Sequence, residues 1–318
     1  MKTSAAKKFL RTLAESNPLT RSLLKLRYER HLERVVTEDC KVNGAKATFR
    51  KDAVEIRIGD RAMLINRKHA IYAGTLAKAF DVYFTAVVPS EVNGLSVVDF
   101  SKPKVHKLNT GIEFEFSSWP EEMEAIEGYV RWYRPKTGDT VFDLGAHCGF
   151  SVYLFSQYVG ETGRVICFEP DPTNLEILKR NIQRFDLRNV TVVPAAIGGT
   201  DGTAQFSSEG TVGSQLISLL ARESVGNVIT VPVMSLRTAF EKFGIPNFCK
   251  IDIEGAEIEA LESAIDCITA NKSHYVVDTC HVLDGELTYS RVEAIFQRAG
   301  YETETVKVPF VSTYARPT

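Results

Sequence analysis

Residues 141–150 read VFDLGAHCGF, an apolar run that meets two glycines and then an aromatic residue opening a helical pattern. A buried strand that turns through glycine into a helix is the strand–turn–helix unit of an α/β fold. Gly145 lets the chain turn tightly, and Gly149 lets backbone or ligand come close. The helix start behind them offers free N–H groups to an anion such as a carboxylate. Asp143 ends the strand, where it either accepts hydrogen bonds from an ammonium or positions the loop. A tight turn without a ligand uses the same residues, so this stretch alone does not fix a function.

Outward from it the rhythm persists. RVICFEP (164–170) is a strand and Pro172 to Phe185 a helix with Leu175, Leu178, Ile182 and Phe185 on one face. VTVVPAA (190–196), VITVPVMSL (228–236) and FCKIDIEG (248–255) are strands, with a helix at Leu236 to Phe243 between the last two. A helix from Ala256 carries Ile258, Leu261 and Ile265. HYVVDTCH (274–281) is a strand, Ser290 to Ala299 a helix and YETETVKV (301–308) a last strand. Continuous apolar strands alternating with amphipathic helices predict an α/β domain, its parallel sheet covered on both faces.

Three more stretches carry chemistry. Glu169, in CFEPDP, closes a parallel strand about twenty residues past the glycine turn, where one carboxylate can take both ribose hydroxyls of an adenosine ligand. Asp171 precedes Pro172 and reads as a helix cap. The turn lacks G-x-G-x-x-G, which counts against a dinucleotide. In KIDIEGAE (250–257), Lys250, Asp252 and Glu254 alternate and so share one side of an extended chain. They form either a cleft-mouth cluster, or a Lys–Asp ion pair with helix capping by Glu254 and Glu257. VVDTCH (276–281) brings Asp278 and His281 to the same rim. There His281 is either structural or a general base, its ordinary pKa being near working pH.

The N-terminal part differs. Residues 1–36 hold nine Lys/Arg against three Glu, a net of +6 that leaves −8 for the rest. Pro18 starts a helix, with Leu19, Leu23 and Leu26 on one face and Leu32 and Val35 continuing it. It reads as a basic helix docked on the protein body, with an acidic partner or an anionic membrane surface as sharper alternatives. AVEIRI (53–58), VYFTAVV (82–88), LSVVDF (95–100) and GIEFEF (111–116) read as a small, mostly antiparallel β region. Ser118 to Glu121 offers a capping box for a helix to about Tyr133. The expected division is therefore a basic helical segment (1–38), a β region (39–119) and a catalytic domain (120–318).

Composition narrows the class. The chain has 318 residues, 44% hydrophobic and 25% charged, with a net charge of −2. This excludes collagen-like and disordered chains and gives no global argument for nucleic acid. No apolar run reaches the roughly 20 residues of a membrane span, and the N-terminus lacks the apolar core of a secretory signal. Six cysteines without a CxxC pair read as reduced thiols of a cytoplasmic protein, with no zinc spacing.

VFDLGAHCGFSVY, FEPDPTN, NVTVVPAAIGG, VPVMSLRTAF and above all FCKIDIEGAEIEAL resemble the FkbM-type family of S-adenosylmethionine-dependent methyltransferases. The likeness covers roughly residues 120–306. It implies a Rossmann-like class I methyltransferase sheet preceded by the helical and small β regions. It also implies that Asp143, Gly145, Ala146 and Gly149 shape the methionine end, that Glu169 holds the ribose, that Ala196 lies near adenine, that Asp252 lies near the methyl group, and that Asp171 counts among the cofactor-binding residues. Family members commonly carry Asn and an aliphatic residue where this chain has His147 and Cys148.

The expected reaction is methyl transfer to a hydroxyl oxygen of a small molecule or glycan. His281 or Asp252 would take the proton, and Lys250 would orient Asp252 or the acceptor. No metal is assigned. The alternative is a catechol-type, metal-assisted enzyme, with magnesium at Asp252, Asp278 and His281. A nicotinamide oxidoreductase and a non-catalytic adenosylmethionine-binding scaffold remain as rivals. Residues 1–119 are expected to choose the acceptor or mediate assembly, and oligomers stay open.

Overall fold

A computed structural model describes the backbone of residues 18–121, 127–219, 226–283, 285–307 and 311–318, with side chains from residue 26 onward. The chain divides into two compact units, one reaching to Phe84 and adding Pro89–Ser101, the other comprising Thr85–Val88 and Lys102–Thr318.

The first unit opens with helix α1 (Pro18–Val42). The basic stretch 1–17 lies outside the described residues. Leu26 and Val35 are exposed, whereas Val36 and Cys40 are buried. The apolar stripe read from sequence is thus rotated, and the docked edge runs through Leu32, Val36 and Cys40 at helical spacing. Strands β1 (Lys46–Phe49), β2 (Ala53–Ile58), β3 (Arg61–Asn66), β4 (Ser90–Val92) and β5 (Leu95–Phe100) form a sheet in the order β1-β2-β3-β5-β4. Only the β3–β5 pairing is parallel. Helices α2 (Ala73–Lys78) and α3 (Phe80–Ala86) intervene. VYFTAVV, expected as a strand, is largely α3. Phe80, Tyr83 and Phe84 recur at helical spacing, and Phe80 stacks on Phe84 at 4.8 Å.

The second unit begins with the hairpin β6 (Lys104–Lys107) and β7 (Glu113–Phe116). GIEFEF was grouped by sequence with the small β region; its Phe114 instead packs on Phe150 at 5.1 Å and Phe185 at 5.6 Å. Of the helix expected over 118–133, residues 122–126 lie outside the described residues. The helix is present at 127–129 and is closed by Arg131 N donating to Gly128 O. The capping box is not formed: the Glu121 carboxylate accepts from Tyr129, and Ser118 Oγ has no hydrogen-bond partner among the described residues.

The main sheet holds β8 (Thr140–Leu144), β9 (Arg164–Phe168), β10 (Val190–Val193), β15 (Phe248–Ile251), β16 (His274–Asp278), β19 (Tyr301–Val306) and β20 (Ser312–Pro317). Its order is β10-β9-β8-β15-β16-β20-β19. The first five strands are parallel, and β20 pairs antiparallel with both β16 and β19. YETETVKV is therefore not the last strand; β20 inserts between it and β16. Helices α4 (Phe150–Val159), α5 (Pro172–Arg184), α6 (Leu236–Phe243), α7 (Glu257–Ser263), α8 (Ile265–Ala270) and α9 (Tyr289–Arg298) alternate with the strands. The core is built from strand residues such as Phe142, Ile166 and Ile251, with Leu261 and Phe296 from the helices.

VTVVPAA breaks after Val193, where Pro194 has no N–H for the ladder. Strands β11 (Ala196–Gly198), β12 (Gly202–Ser208), β13 (Gln215–Leu216) and β14 (Asn227–Ser235) form a separate sheet rather than extending the parallel one. A two-strand ladder, β17 (Val282–Leu283) with β18 (Glu286–Leu287), follows β16. Because β8 has β9 on one side and β15 on the other, the order reverses beside it, and ligands of such sheets bind in the crevice outside that point.

Candidate cofactor and catalytic site

The turn after β8 is fixed by contacts that only glycine permits. Gly145 has φ +82°, and a Cβ there would lie 1.8 Å from the carbonyl oxygen of Asp252. Gly149, at φ +85°, would put a Cβ 2.3 Å from Leu178 Cδ1. It is the N-cap of α4 and gives that end no side-chain cap. Gly145 N and Ala146 N donate to Phe168 O, pinning the loop to β9. Ala146 is buried and contributes backbone alone. His147 takes a left-handed φ of +48°, a conformation Asn and His tolerate better than most residues. Its ring faces Ser117 Oγ at 3.3 Å, and burial lowers its pKa to about 4, so it is neutral.

Asp143 is fully buried, accepts from Ser151 Oγ at 2.5 Å and faces Lys250 Nζ at 3.4 Å. The ammonium it meets is thus one of the chain's own, at the strand end that leads into the loop.

Glu169 stands at the end of β9 with both oxygens on backbone amides, His147 N and Asp171 N, each at 2.8 Å. Burial, then the neighbouring Asp171, pushes its pKa up to about 8. A carboxyl held by amides, with no cation in an ion pair with it among the described residues, suits the two hydroxyls of a ribose. The donor set and the glycine cradle therefore fit an adenosyl group.

Asp171 is the helix cap that its place before Pro172 predicts, and its other oxygen is held as well. Oδ1 caps α5 through Thr173 N at 2.8 Å, and Oδ2 accepts from Gly210 N at 3.0 Å and Ser214 Oγ at 2.7 Å. Ala196 begins β11 in a cluster with Phe206, Leu216, Val231 and Ala256.

On β15, Lys250 is sealed within the sheet. Its Nζ donates to Gly145 O at 2.7 Å and lies 3.7 Å from Asp252 Oδ2. Burial alone would lower its pKa; Asp143, Asp252 and Glu121 outweigh it and hold the ammonium charged. Lys250 thus faces Asp252 and the loop, with its side chain sealed from solvent. Asp252 stays partly open at the strand end. Tyr129 OH reaches it at 3.3 Å and also donates to Glu121. Burial, tempered by Lys250, raises the Glu121 carboxyl to about 7. Sequence reading missed Tyr129 and Glu121, which lie over 120 positions from Asp252 and carry no spacing signal.

His281, expected as either a structural residue or a general base, stands between two glutamates. Nε2 lies 3.4 Å from Glu254 Oε2, and Nδ1 lies 3.2 Å from Glu257 Oε1. Burial pushes its pKa down, but Glu257 and Glu254 push harder and raise it far above the ordinary value. Both ring nitrogens thus face carboxylates, which favours the charged form of the ring. Glu257 also caps the turn, accepting from Ile253 N and Gly255 N, whereas Glu254, at φ +56°, turns to His281.

Asp278 ends β16 with Oδ1 on Cys280 N at 2.8 Å. Burial, then Asp252, lifts it to about 6, opposed by His281. Donor atoms of Asp252, Glu254 and His281 gather within 4.8 Å, as do those of Asp278, Cys280 and His281. Such spacing can hold a cation, but His281 would first have to surrender its proton.

The family described as "Methyltransferase FkbM domain" matches residues 143–303. Among curated proteins, a protein-L-isoaspartate O-methyltransferase of Thermotoga maritima is 32% identical over 97 residues, 30% of this chain and 29% of that protein. The matched stretches span a third or less of the length of the curated relatives. Among solved structures, the FkbM methyltransferase of Methylobacillus flagellatus is 19% identical with TM-score 0.44, covering 58% of this chain and 45% of that one. A fibrillarin of Aeropyrum pernix in complex with S-adenosyl-L-methionine is 12% identical with TM-score 0.40, covering 85% and 97%. No helix among the described residues is long and apolar enough to cross a membrane.

Proposed function

This chain belongs to the FkbM methyltransferase family, and we propose that it transfers a methyl group from S-adenosylmethionine to a hydroxyl oxygen of an uncharged small molecule or glycan. The observation that carries this reading is the meeting, at the sheet's reversal point, of the glycine turn, the amide-held Glu169 and the half-open Asp252.

The cofactor, when bound, supplies an activated methyl on a sulfonium; the protein has to orient, desolvate and manage one proton. Glu169 takes the ribose hydroxyls. Asp252, steadied by Lys250 and Tyr129, offers negative charge beside the sulfonium. When bound beside the acceptor, the cofactor would give up its methyl group and leave as a neutral thioether; the acceptor's hydroxyl proton would pass to Asp278, whose Oδ1 accepts from Cys280 N at the same rim.

A carboxylate acceptor, as the names of the isoaspartate relatives imply for them, is disfavoured here. Asp252, Glu254 and Asp278 already crowd the rim, and a further anion would be repelled. The test is incubation with methyl-labelled S-adenosylmethionine and a panel of polyols, glycans, amines and isoaspartyl peptides. Label on an oxygen of a neutral acceptor supports the reading; label on nitrogen or carboxylate alone contradicts it.

A further inference from the structure

Two residues ahead of β8, Glu121 and Tyr129, meet Asp252 at the end of β15. Tyr129 is sealed from solvent, and its ring lies over the Lys250 ammonium, with Nζ 5.3 Å from the ring centre. The same ammonium is 3.7 Å from Asp252 Oδ2, so ring and carboxylate flank one cation. The Tyr129 hydroxyl lies 3.3 Å from that Oδ2 and is also hydrogen-bonded to the half-buried Glu121.

A phenol has one proton to give, and two carboxyl groups stand against this one. Burial, then Glu121, Asp252 and Asp278, push the Tyr129 hydroxyl upward, so it keeps that proton. With Glu121 and Asp252 both ionised, one of them would meet only the lone pairs of the phenol oxygen. A proton on Glu121 removes the conflict: its O–H donates to the phenol oxygen, and the Tyr129 proton is left for Asp252. The surroundings favour that arrangement. Burial comes first in raising the Glu121 carboxyl to about 7, and Asp252 and Asp143 add to it, against Lys250 and the Tyr129 hydrogen bond.

We propose that Glu121 and Tyr129 are positioning residues for the methyl donor: Glu121 directs the Tyr129 hydroxyl to Asp252, and the hydroxyl fixes the Asp252 carboxylate beside the sulfonium. This rests on the reading that the crevice takes S-adenosylmethionine with Asp252 near its sulfur. Both residues act through Asp252, so their effect is on charge. S-adenosylmethionine carries a positive sulfur and S-adenosylhomocysteine a neutral one, and their affinity ratio therefore reads how well Asp252 is held. A general loosening of the crevice would weaken both compounds alike.

The experiment is calorimetric titration of the full chain with both compounds, for wild type, Tyr129→Phe, Glu121→Gln, Glu121→Leu, and Asp252→Asn alone and with Tyr129→Phe. Tyr129→Phe keeps the ring over Lys250 and loses only the hydroxyl. It is expected to shift the affinity ratio about fivefold toward S-adenosylhomocysteine, the scale of one hydrogen bond. Glu121→Gln, whose amide donates to the phenol oxygen as a protonated carboxyl does, should stay near the wild-type ratio, whereas Glu121→Leu should shift it as Tyr129→Phe does. Asp252→Asn should shift it in the same sense, and adding Tyr129→Phe should change nothing further. An unchanged ratio in Tyr129→Phe, or a further shift in the Asp252→Asn background, would overturn the proposal. A wild-type chain that binds neither compound would instead overturn the cofactor reading. Should Tyr129→Phe fail to fold, the contrast between Glu121→Gln and Glu121→Leu still decides.

Discussion

Lys250 and Asp143 are register partners on adjacent parallel strands, and their charges lie 3.4 Å apart with both side chains sealed from solvent. The pair sits under the reversal point of the sheet. Through Gly145 O and Asp252 the same ammonium ties the glycine turn to the catalytic strand end.

Removing that cation should leave a buried carboxylate uncompensated. Lys250→Met is expected to cost about 3–5 kcal/mol of stability, measured by urea unfolding. Combining it with Asp143→Asn should recover part of the loss. Equal effects of the single and double variants would contradict the pairing.

Gly145→Ala should be the most damaging glycine change at the site. A Cβ would collide with backbone oxygen at 1.8 Å, whereas at Gly149 it meets the end of the Leu178 side chain. We expect about 3 kcal/mol or more for Gly145→Ala and loss of cofactor binding, with a smaller cost for Gly149→Ala. Thermal melts and ligand titrations check both.

Glu169 gives stability a pH slope of definite sign. Its pKa is raised from 4.5 to about 8 in the fold. Between those values the folded form keeps a proton that the unfolded chain has lost, so stability falls as pH rises through this window. Glu169→Gln should flatten that decline in the ligand-free protein, by unfolding across pH 4–9. An unchanged slope would contradict the burial argument.

Asp278→Asn should lower turnover while leaving the affinity for S-adenosylmethionine unchanged. In wild type the rate should climb as pH rises through about 6, where Asp278 ionises, and the variant should lose this limb. A variant with the same turnover and the same pH profile would remove Asp278 from the mechanism.

Much of this was legible in the sequence because it is local. The glycine turn, Glu169 and the alternation of Lys250, Asp252 and Glu254 are each read from spacing within a strand and its turn, and they follow the ends of three neighbouring parallel strands. What escaped is set by partners distant in the chain. Spacing gives no sign that two glutamates on another turn flank His281, or that Asp171, legible as a helix cap, also accepts from Gly210 N and Ser214 Oγ. β20 was missed because STYARP is a short polar strand whose burial comes from its two neighbours. α3 was misread because Val, Tyr and Phe favour strands in general, while the spacing of Phe80, Tyr83 and Phe84 decided for helix.

The central claim is that the crevice at β8, β9 and β15 holds an adenosyl sulfonium, and the most direct measurement is a calorimetric titration of the full chain with S-adenosylmethionine. The account predicts saturable one-site binding that Glu169→Ala abolishes and that nicotinamide dinucleotides do not displace. Absence of binding, binding indifferent to Glu169, or displacement by a dinucleotide would contradict it.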